Sequence, residues 1–291
     1  MRKIIVGIIL FLAFAACDNL NKKEKVTCLI NNTKYDEALS YIESILIETG
    51  EEPWLFESKG LIYKNQHQFK LSEENYLKAL KLGGDKMANF INLGDVLFKN
   101  KDYAKAHDVF LLCYNIDSAN YTVNYNLGLC NYFLDDLDNA IKYISKVNCI
   151  SPDETGIYFL KAEILNKKGE YIKGIESVNK GLILDNRNDY GYFLKGMLYF
   201  NLKNYLEAIA NFNDAIQINP NSLDYYCNIG IAFHMIDSCQ KSVLNFNKAI
   251  ELDSMCNYAY LGKFHVYKDL KNDSLAEFNY LMYKRTLAIS N

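Results

Sequence analysis

Proline is nearly missing from the chain, with three in 291 residues. So few obligatory breaks leave long helical stretches open to it from end to end. Charge of one sign is lacking too: 32 Lys and Arg stand against 35 Asp and Glu, a formal net charge of −3. A polyanion such as nucleic acid, or an anionic membrane surface, finds no basic field here. Histidine is reduced to His67, His107, His234 and His265, and none of them forms the HExxH pair that holds zinc. His107 and Asp108 are neighbours, so on a helix they project about 100° apart and cannot act as a dyad. GxxxxGK, GxGxxG and GxSxG are all missing, which removes the common phosphate, dinucleotide and nucleophile-elbow signatures. The turn DNRNDYG, Asp185 to Gly191, has the outline of a calcium loop. Arg187, however, stands where an oxygen ligand is needed and Tyr190 where glycine is, so it reads as a turn between helices. No metal, cofactor or catalytic residue is expected.

Cysteine is present, but not in pairs that spacing can read. CxxC is absent, and apart from Cys17 the remaining Cys28, Cys113, Cys130, Cys149, Cys227, Cys239 and Cys256 are odd in number and irregularly spaced. They read as small hydrophobes packed within helices rather than as a disulfide framework.

The chain opens MRKIIVGIILFLAFAACDNLNKKEK, with Arg2 and Lys3 before an apolar run of 13 residues from Ile4 to Ala16. That run is short of the ~20 residues a membrane-spanning helix needs, and has the form of a secretory signal. FAAC, Phe14 to Cys17, resembles a bacterial lipobox, with Phe14 where leucine is usual. The resemblance implies that residues 1–16 are removed, that Cys17 is diacylated, and that residues 17–24 tether the remainder, 25–291, to an envelope membrane, periplasmic or outer-membrane associated. AFA, Ala13 to Ala15, leaves an ordinary signal-peptidase cut open.

What is abundant is repetition. NYLEAIANFNDAIQINP, Asn204 to Pro220, places Ala208, Phe212 and Ala215 on one helical face and stops at the proline. A shift of 34 residues carries this stretch through frames beginning at Asn19, Pro53, Met87, Tyr121, Thr155, Asp189, Leu223 and Asn257. From the second frame to the seventh, position 8 holds Gly60, Gly94, Gly128, Ala162, Gly196 and Gly230. Position 20 is small in all the frames: Ala38, Ser72, Ala106, Ala140, Gly174, Ala208, Ser242 and Ala276. Position 24 is large: Ile42, Tyr76, Phe110, Ile144, Val178, Phe212, Phe246 and Tyr280. Small residues at positions 8 and 20 let two antiparallel helices approach, and position 24 fills the space between them.

Gly196, Tyr199, Ala208, Phe212 and Pro220 are similar to the tetratricopeptide repeat, whose period is also 34. The resemblance implies an all-α superhelical solenoid of about seven to eight repeats, each stabilising the next, with the first helices lining a concave groove. Val26 stands in place of the first frame's glycine, so that frame is expected to lack a convincing first helix, and Phe264 stands in place of the last. Both frames are expected to act as caps.

In the family, positions 2, 5, 6, 9, 12 and 13 of the first helix face the groove. Position 6 here holds Asn92, Asn126 and Asn228, whose amides carry both the donor and the acceptor that an extended peptide backbone needs. Tyr125, Leu129, Phe159, Phe193 and Met197 form the apolar stretch between them, within a run that also includes Tyr190, Phe133 and Phe200. Phe133 and Phe200 are expected to pack against the following repeat. Glu57, Lys64, Asp95 and Lys99 flank the patch on one side, and Asp224, His234, Lys268 and Asp269 on the other. No Lys or Arg occupies position 2 or 6 of the full repeats, which argues against a clamp for a terminal carboxylate. The expected role is a non-catalytic scaffold binding a protein or peptide of the cell envelope, with no nucleic acid. A glycan stacked on the groove aromatics is the alternative.

Overall fold

The structure, a computed structural model, describes residues 21–290, and every regular element among them is an α-helix. The helices come in pairs that follow the 34-residue frames. First are α1 (Lys22–Asn31) with α2 (Tyr35–Thr49), then α3 (Pro53–Asn65) with α4 (Phe69–Lys81). Next come α5 (Lys86–Lys99) with α6 (Tyr103–Ile116), and α7 (Tyr121–Phe133) with α8 (Leu137–Ile150). The second half holds α9 (Thr155–Lys168) with α10 (Tyr171–Leu184), and α11 (Asp189–Asn201) with α12 (Tyr205–Ile218). It ends with α13 (Leu223–His234) and α14 (Cys239–Leu252), then α15 (Asn257–Asp269) and α16 (Asp273–Ser290). Contacts divide the chain into two units, Met1–Tyr143 and Ile144–Asn291. No helix among the described residues is long and apolar enough to cross a membrane. The signal segment, Cys17 and the start of the tether lie outside the described residues.

Within each pair the turn is set by one residue, at position 15 of the frame. Thr33, His67, Lys101, Asp135, Lys203, Asp237 and Lys271 all have φ between 55° and 65°, and Gly169 has φ 83°. This left-handed residue lets the next amide fold back on the helix just ended, as Asp102 N–H does on the Leu97 carbonyl at 2.9 Å. The same Asp102 then caps α6, its carboxylate accepting from the Lys105 N–H at 3.3 Å.

In the first unit, one cluster gathers Val26, Leu29, Ile42, Leu55 and Ile62, and another Tyr76, Leu93, Phe110 and Leu127. In the second, Phe159, Val178 and Leu198 form one core, Phe212 and Ile229 another, and Cys227, Phe246 and Val266 a third. Four glycines of position 8, Gly60, Gly94, Gly196 and Gly230, lie under the plugs of position 24. A Cβ would come within 2.9 Å of the Tyr76 ring at Gly60, 2.6 Å of Phe110 at Gly94, 2.5 Å of Phe212 at Gly196 and 2.9 Å of Phe246 at Gly230. Where position 8 is Ala162, the plug in the same cluster shrinks to Val178. The serines of position 20 are satisfied across the same seam, Ser72 Oγ donating to the Gly60 carbonyl at 2.6 Å and Ser242 Oγ to that of Gly230 at 2.7 Å.

Several expectations are corrected. The first frame does have its first helix: Asn21 and Glu24 form a capping box at the start of α1, and fully buried Val26 shares a core with Ile42. A branched aliphatic plug, unlike a ring, leaves room for a valine opposite it. The helix begins at Lys22, inside the segment read as tether. At the other end Tyr280 is no plug but is 39% exposed. Phe264 occupies the place of a glycine, so the two rings meet at 5.1 Å instead of one filling the space above the other. Among the cysteines, Cys113, Cys130, Cys227 and Cys256 are buried thiols as expected, whereas Cys149 is exposed and Cys28 is disulfide-bonded.

Candidate partner-binding site

In the first unit, α3 and α5 bring the expected polar flank into contact. Asp95 accepts from both Lys64 Nζ at 3.1 Å and Lys99 Nζ at 3.3 Å, and Lys64 Nζ also lies 3.3 Å from Asn92 Oδ1. Asn92 is therefore engaged at both ends, since its amide donates to the Ala88 carbonyl one turn earlier, at 3.1 Å. Asn126 folds back in the same way on Thr122 at 2.9 Å, beside Tyr125, which stacks on Tyr121 at 6.1 Å. Leu129 is half-buried. A position-6 asparagine thus spends one amide hydrogen on its own helix, the local bond that short amide side chains favour. Glu57 is tied to Asn89 at 2.8 Å. Phe133 packs backwards, stacked on Tyr103 at 4.6 Å and edge-on to Phe98, and remains 49% exposed.

In the second unit, Phe159 departs from its expected role as a groove residue. Only 4% exposed, it fills the gap beside Gly181 and Gly191, where a Cβ would come within 2.5 and 2.8 Å of its ring. Phe193 and Met197 are half-buried on α11, Phe193 stacked on Tyr225 at 4.9 Å and tilted on Phe212 at 5.7 Å. The accessible ring is that of Tyr190, 40% exposed, 6.4 Å from Phe159 and 6.3 Å from Phe193. Its phenol donates to the Glu163 carboxylate on α9. Asn228 donates to the Asp224 carbonyl at 2.8 Å. Phe200 is edge-on to Tyr205 at 5.3 Å and, as expected, packs against the cluster that includes Ile229 and Ala232 of the following repeat.

Links between successive first helices recur in this unit: Asn201 with Asn166 at 2.8 Å, and His234 with Asp269 at 2.8 Å. Both join residues 35 apart, whereas Tyr190 and Glu163 are 27 apart. The repeat period alone, which is 34, does not name these partners, since the links fall one residue beyond it or seven short of it. Behind the rings, Asp189 accepts from Asn219 and from the Tyr225 hydroxyl, each at 2.8 Å. Burial pushes the Asp189 carboxyl upward, but these two hydrogen bonds and nearby backbone N–H groups outweigh it and hold the carboxyl below its ordinary range. Burial, then the adjacent Asp189 charge, pushes the Tyr225 phenol up. The resulting face is apolar and aromatic with carboxylates at its edge. It can take up side chains and offer acceptors.

Family models for the tetratricopeptide repeat match residues 121–154 and 196–237. A TPR repeat-containing protein of Methanocaldococcus jannaschii is 31% identical over 103 residues, which are 35% of this chain and 18% of that protein. The chain therefore spans less than a fifth of that relative's length. Among solved structures, a tetratricopeptide repeat protein from Parabacteroides merdae aligns with a TM-score of 0.67 at 13% identity, over 79% of this chain and 91% of its own. The C-terminal part of a TPR repeat-containing protein from Cytophaga hutchinsonii aligns at 0.69 and 16% identity, over 82% and 98%. YrrB, described as a TPR protein with an unusual peptide-binding site, aligns at 0.51 and 18% identity, over 64% and 96%. At such identities the likeness is one of fold. The matches mark residues 121–154 and 196–237 as tetratricopeptide repeats, and the 34-residue register of the helix pairs carries the same all-α solenoid fold through the described residues.

Proposed function

We propose that the protein is a non-catalytic adaptor of the bacterial cell envelope, tethered by lipid on Cys17, that binds an extended segment of another envelope protein along its first helices. The observation that carries this reading is the face of α11, where the exposed Tyr190 ring adjoins half-buried Phe193 and Met197. Solvent-facing aromatics grouped on one face favour a partner over open water. Asn228, in the same unit, keeps an amide hydrogen beyond the one given to its own helix, which suits a peptide carbonyl. YrrB lends support by its described peptide-binding site on the same fold. The tether is supported by FAAC after a short apolar run, and two acyl chains suffice for stable attachment.

The test is affinity purification from membranes, followed by titration of the identified partner's peptides against wild type, Tyr190→Ala and Phe193→Ala. Each truncation should weaken binding by roughly 5- to 30-fold, the equivalent of ~1 to 2 kcal/mol. Unchanged affinity in both variants removes the site from α11, and loss of oligosaccharide binding with no peptide bound selects a glycan ligand instead. In the same membranes Cys17→Ser should move to the soluble fraction. A variant that stays in the pellet, or a wild-type Cys17 found in a disulfide, overturns the anchor.

A further inference from the structure

We propose that Cys227 and Cys256 form a disulfide that ties the seventh helix pair to the eighth. Cys227 lies on α13 and Cys256 is the residue that caps α15. They are 29 residues apart in sequence, yet their Sγ atoms are 3.5 Å apart, and each residue is only 5% exposed. A disulfide bond is about 2.05 Å long, so the sulfurs must approach by about 1.5 Å.

The surroundings favour the chemistry as well as the distance. Cys256 sits at a helix N-terminus, where backbone N–H groups and the helix dipole stabilise a thiolate. The two thiols are within hydrogen-bond reach, with either able to donate, and that contact shifts Cys256 down while it and burial shift Cys227 up. Cys113 and Cys130 differ: burial pushes their thiols to about 11 and about 12, which leaves little thiolate. The two partners therefore have distinct tasks. Cys256 thiolate attacks one sulfur of an external disulfide, either oxidised glutathione or a disulfide oxidoreductase, and expels one thiolate. Cys227 then loses its proton and attacks the Cys256 sulfur of the mixed disulfide, expelling the second thiol. Two protein thiols are oxidised, one external disulfide is reduced, and the two protons leave with the released thiols.

Both sulfurs are buried, so exchange requires the last pair to open. In a repeat array each helix pair is held only by its neighbours, so the pair α15 with α16 can open locally without global unfolding. Once formed, the bond closes that exit.

The test equilibrates the full chain in glutathione redox mixtures, quenches in acid, alkylates in denaturant and maps the peptides. Cys227 and Cys256 should lose alkylation together and appear in one cross-linked peptide, while Cys113 and Cys130 stay alkylated. Oxidation should raise the melting temperature of the C-terminal helices by roughly 5 to 15 °C, given the length of the closed loop. Cys227→Ala should trap Cys256 as a mixed disulfide with glutathione. If both cysteines remain alkylatable under oxidising mixtures, or if Cys256 pairs with Cys239, the proposal is overturned. The wild-type cross-link is read without any variant, so a misfolded substitution cannot mask the answer.

Discussion

Replacing Gly94 by alanine adds one methyl group and sets two effects against each other. In an open helix the change should stabilise by up to ~1 kcal/mol, because alanine has less backbone freedom to lose. At Gly94 the new Cβ would lie 2.6 Å from Phe110 Cζ and 2.7 Å from Cε1. Favourable carbon–carbon contact begins near 3.5 Å, so the ring must withdraw by about 1 Å. Phe110 has nowhere to go, being fully buried in a cluster with Leu93, Leu97 and Leu127. Overpacking of this kind costs ~1 to 3 kcal/mol, and a 1 Å overlap on an immobile ring belongs in the upper part of that range. After the propensity gain, a net loss of about 1 to 2 kcal/mol is expected. Urea unfolding followed by far-ultraviolet circular dichroism measures it, with midpoints compared because repeat arrays need not unfold in two states. Adding Phe110→Leu should recover part of the loss, visible as coupling in a double-mutant cycle. Gly156, whose Cβ would meet nothing within 4 Å, is the control, and Gly156→Ala should be neutral or stabilising. A Gly94→Ala protein as stable as wild type, with no coupling to Phe110, would refute the seam of glycine beneath ring.

The turns give a second prediction. Lys101→Gly and Lys203→Gly relieve left-handed strain of ~1 to 2 kcal/mol per site, less the added freedom of glycine in the unfolded chain, for a gain of up to ~1 kcal/mol each. Gly169→Ala should lose about as much, and thermal melts showing the opposite order would contradict the role of position 15. A third concerns Asp189→Asn, which leaves Tyr225 and Asn219 a weaker, neutral acceptor and should cost about 1 kcal/mol at neutral pH. Because the folded Asp189 carboxyl is held low, its contribution is complete above the ordinary aspartate pKa of ~3.9 and fades as pH falls through the folded value. Urea midpoints across acid pH should show wild type converging on the variant; a constant gap would exclude the charge as the cause.

The seam was legible in the sequence because it repeats. Position 8, position 20 and position 24 recur every 34 residues, and a local pattern that recurs fixes helix type, helix face and pairing before any coordinates are known. Within that pattern, substitutions were harder to read. Val26 argued against a first helix until its partner proved to be an isoleucine, and Phe264 suggested only a cap until it met Tyr280. The position-15 turns carried a faint signal in Gly169 alone, since lysine, aspartate, threonine and histidine hold the same left-handed backbone elsewhere. At the candidate site, residue type placed Phe193 and Met197 on α11, but could not tell that Phe159 turns into the gap beside two glycines. Nor could it tell that Asn92 is engaged by Lys64, or that Cys227 and Cys256 face each other at 3.5 Å. The sequence by itself determined the unit and its repetition, because both are written in spacings shorter than one helix pair. Only the tertiary structure decided which side chains meet between pairs. Those meetings depend on how far each helix is rotated about its axis, and a rotation that moves one residue from the core to the groove leaves the 34-residue period unchanged.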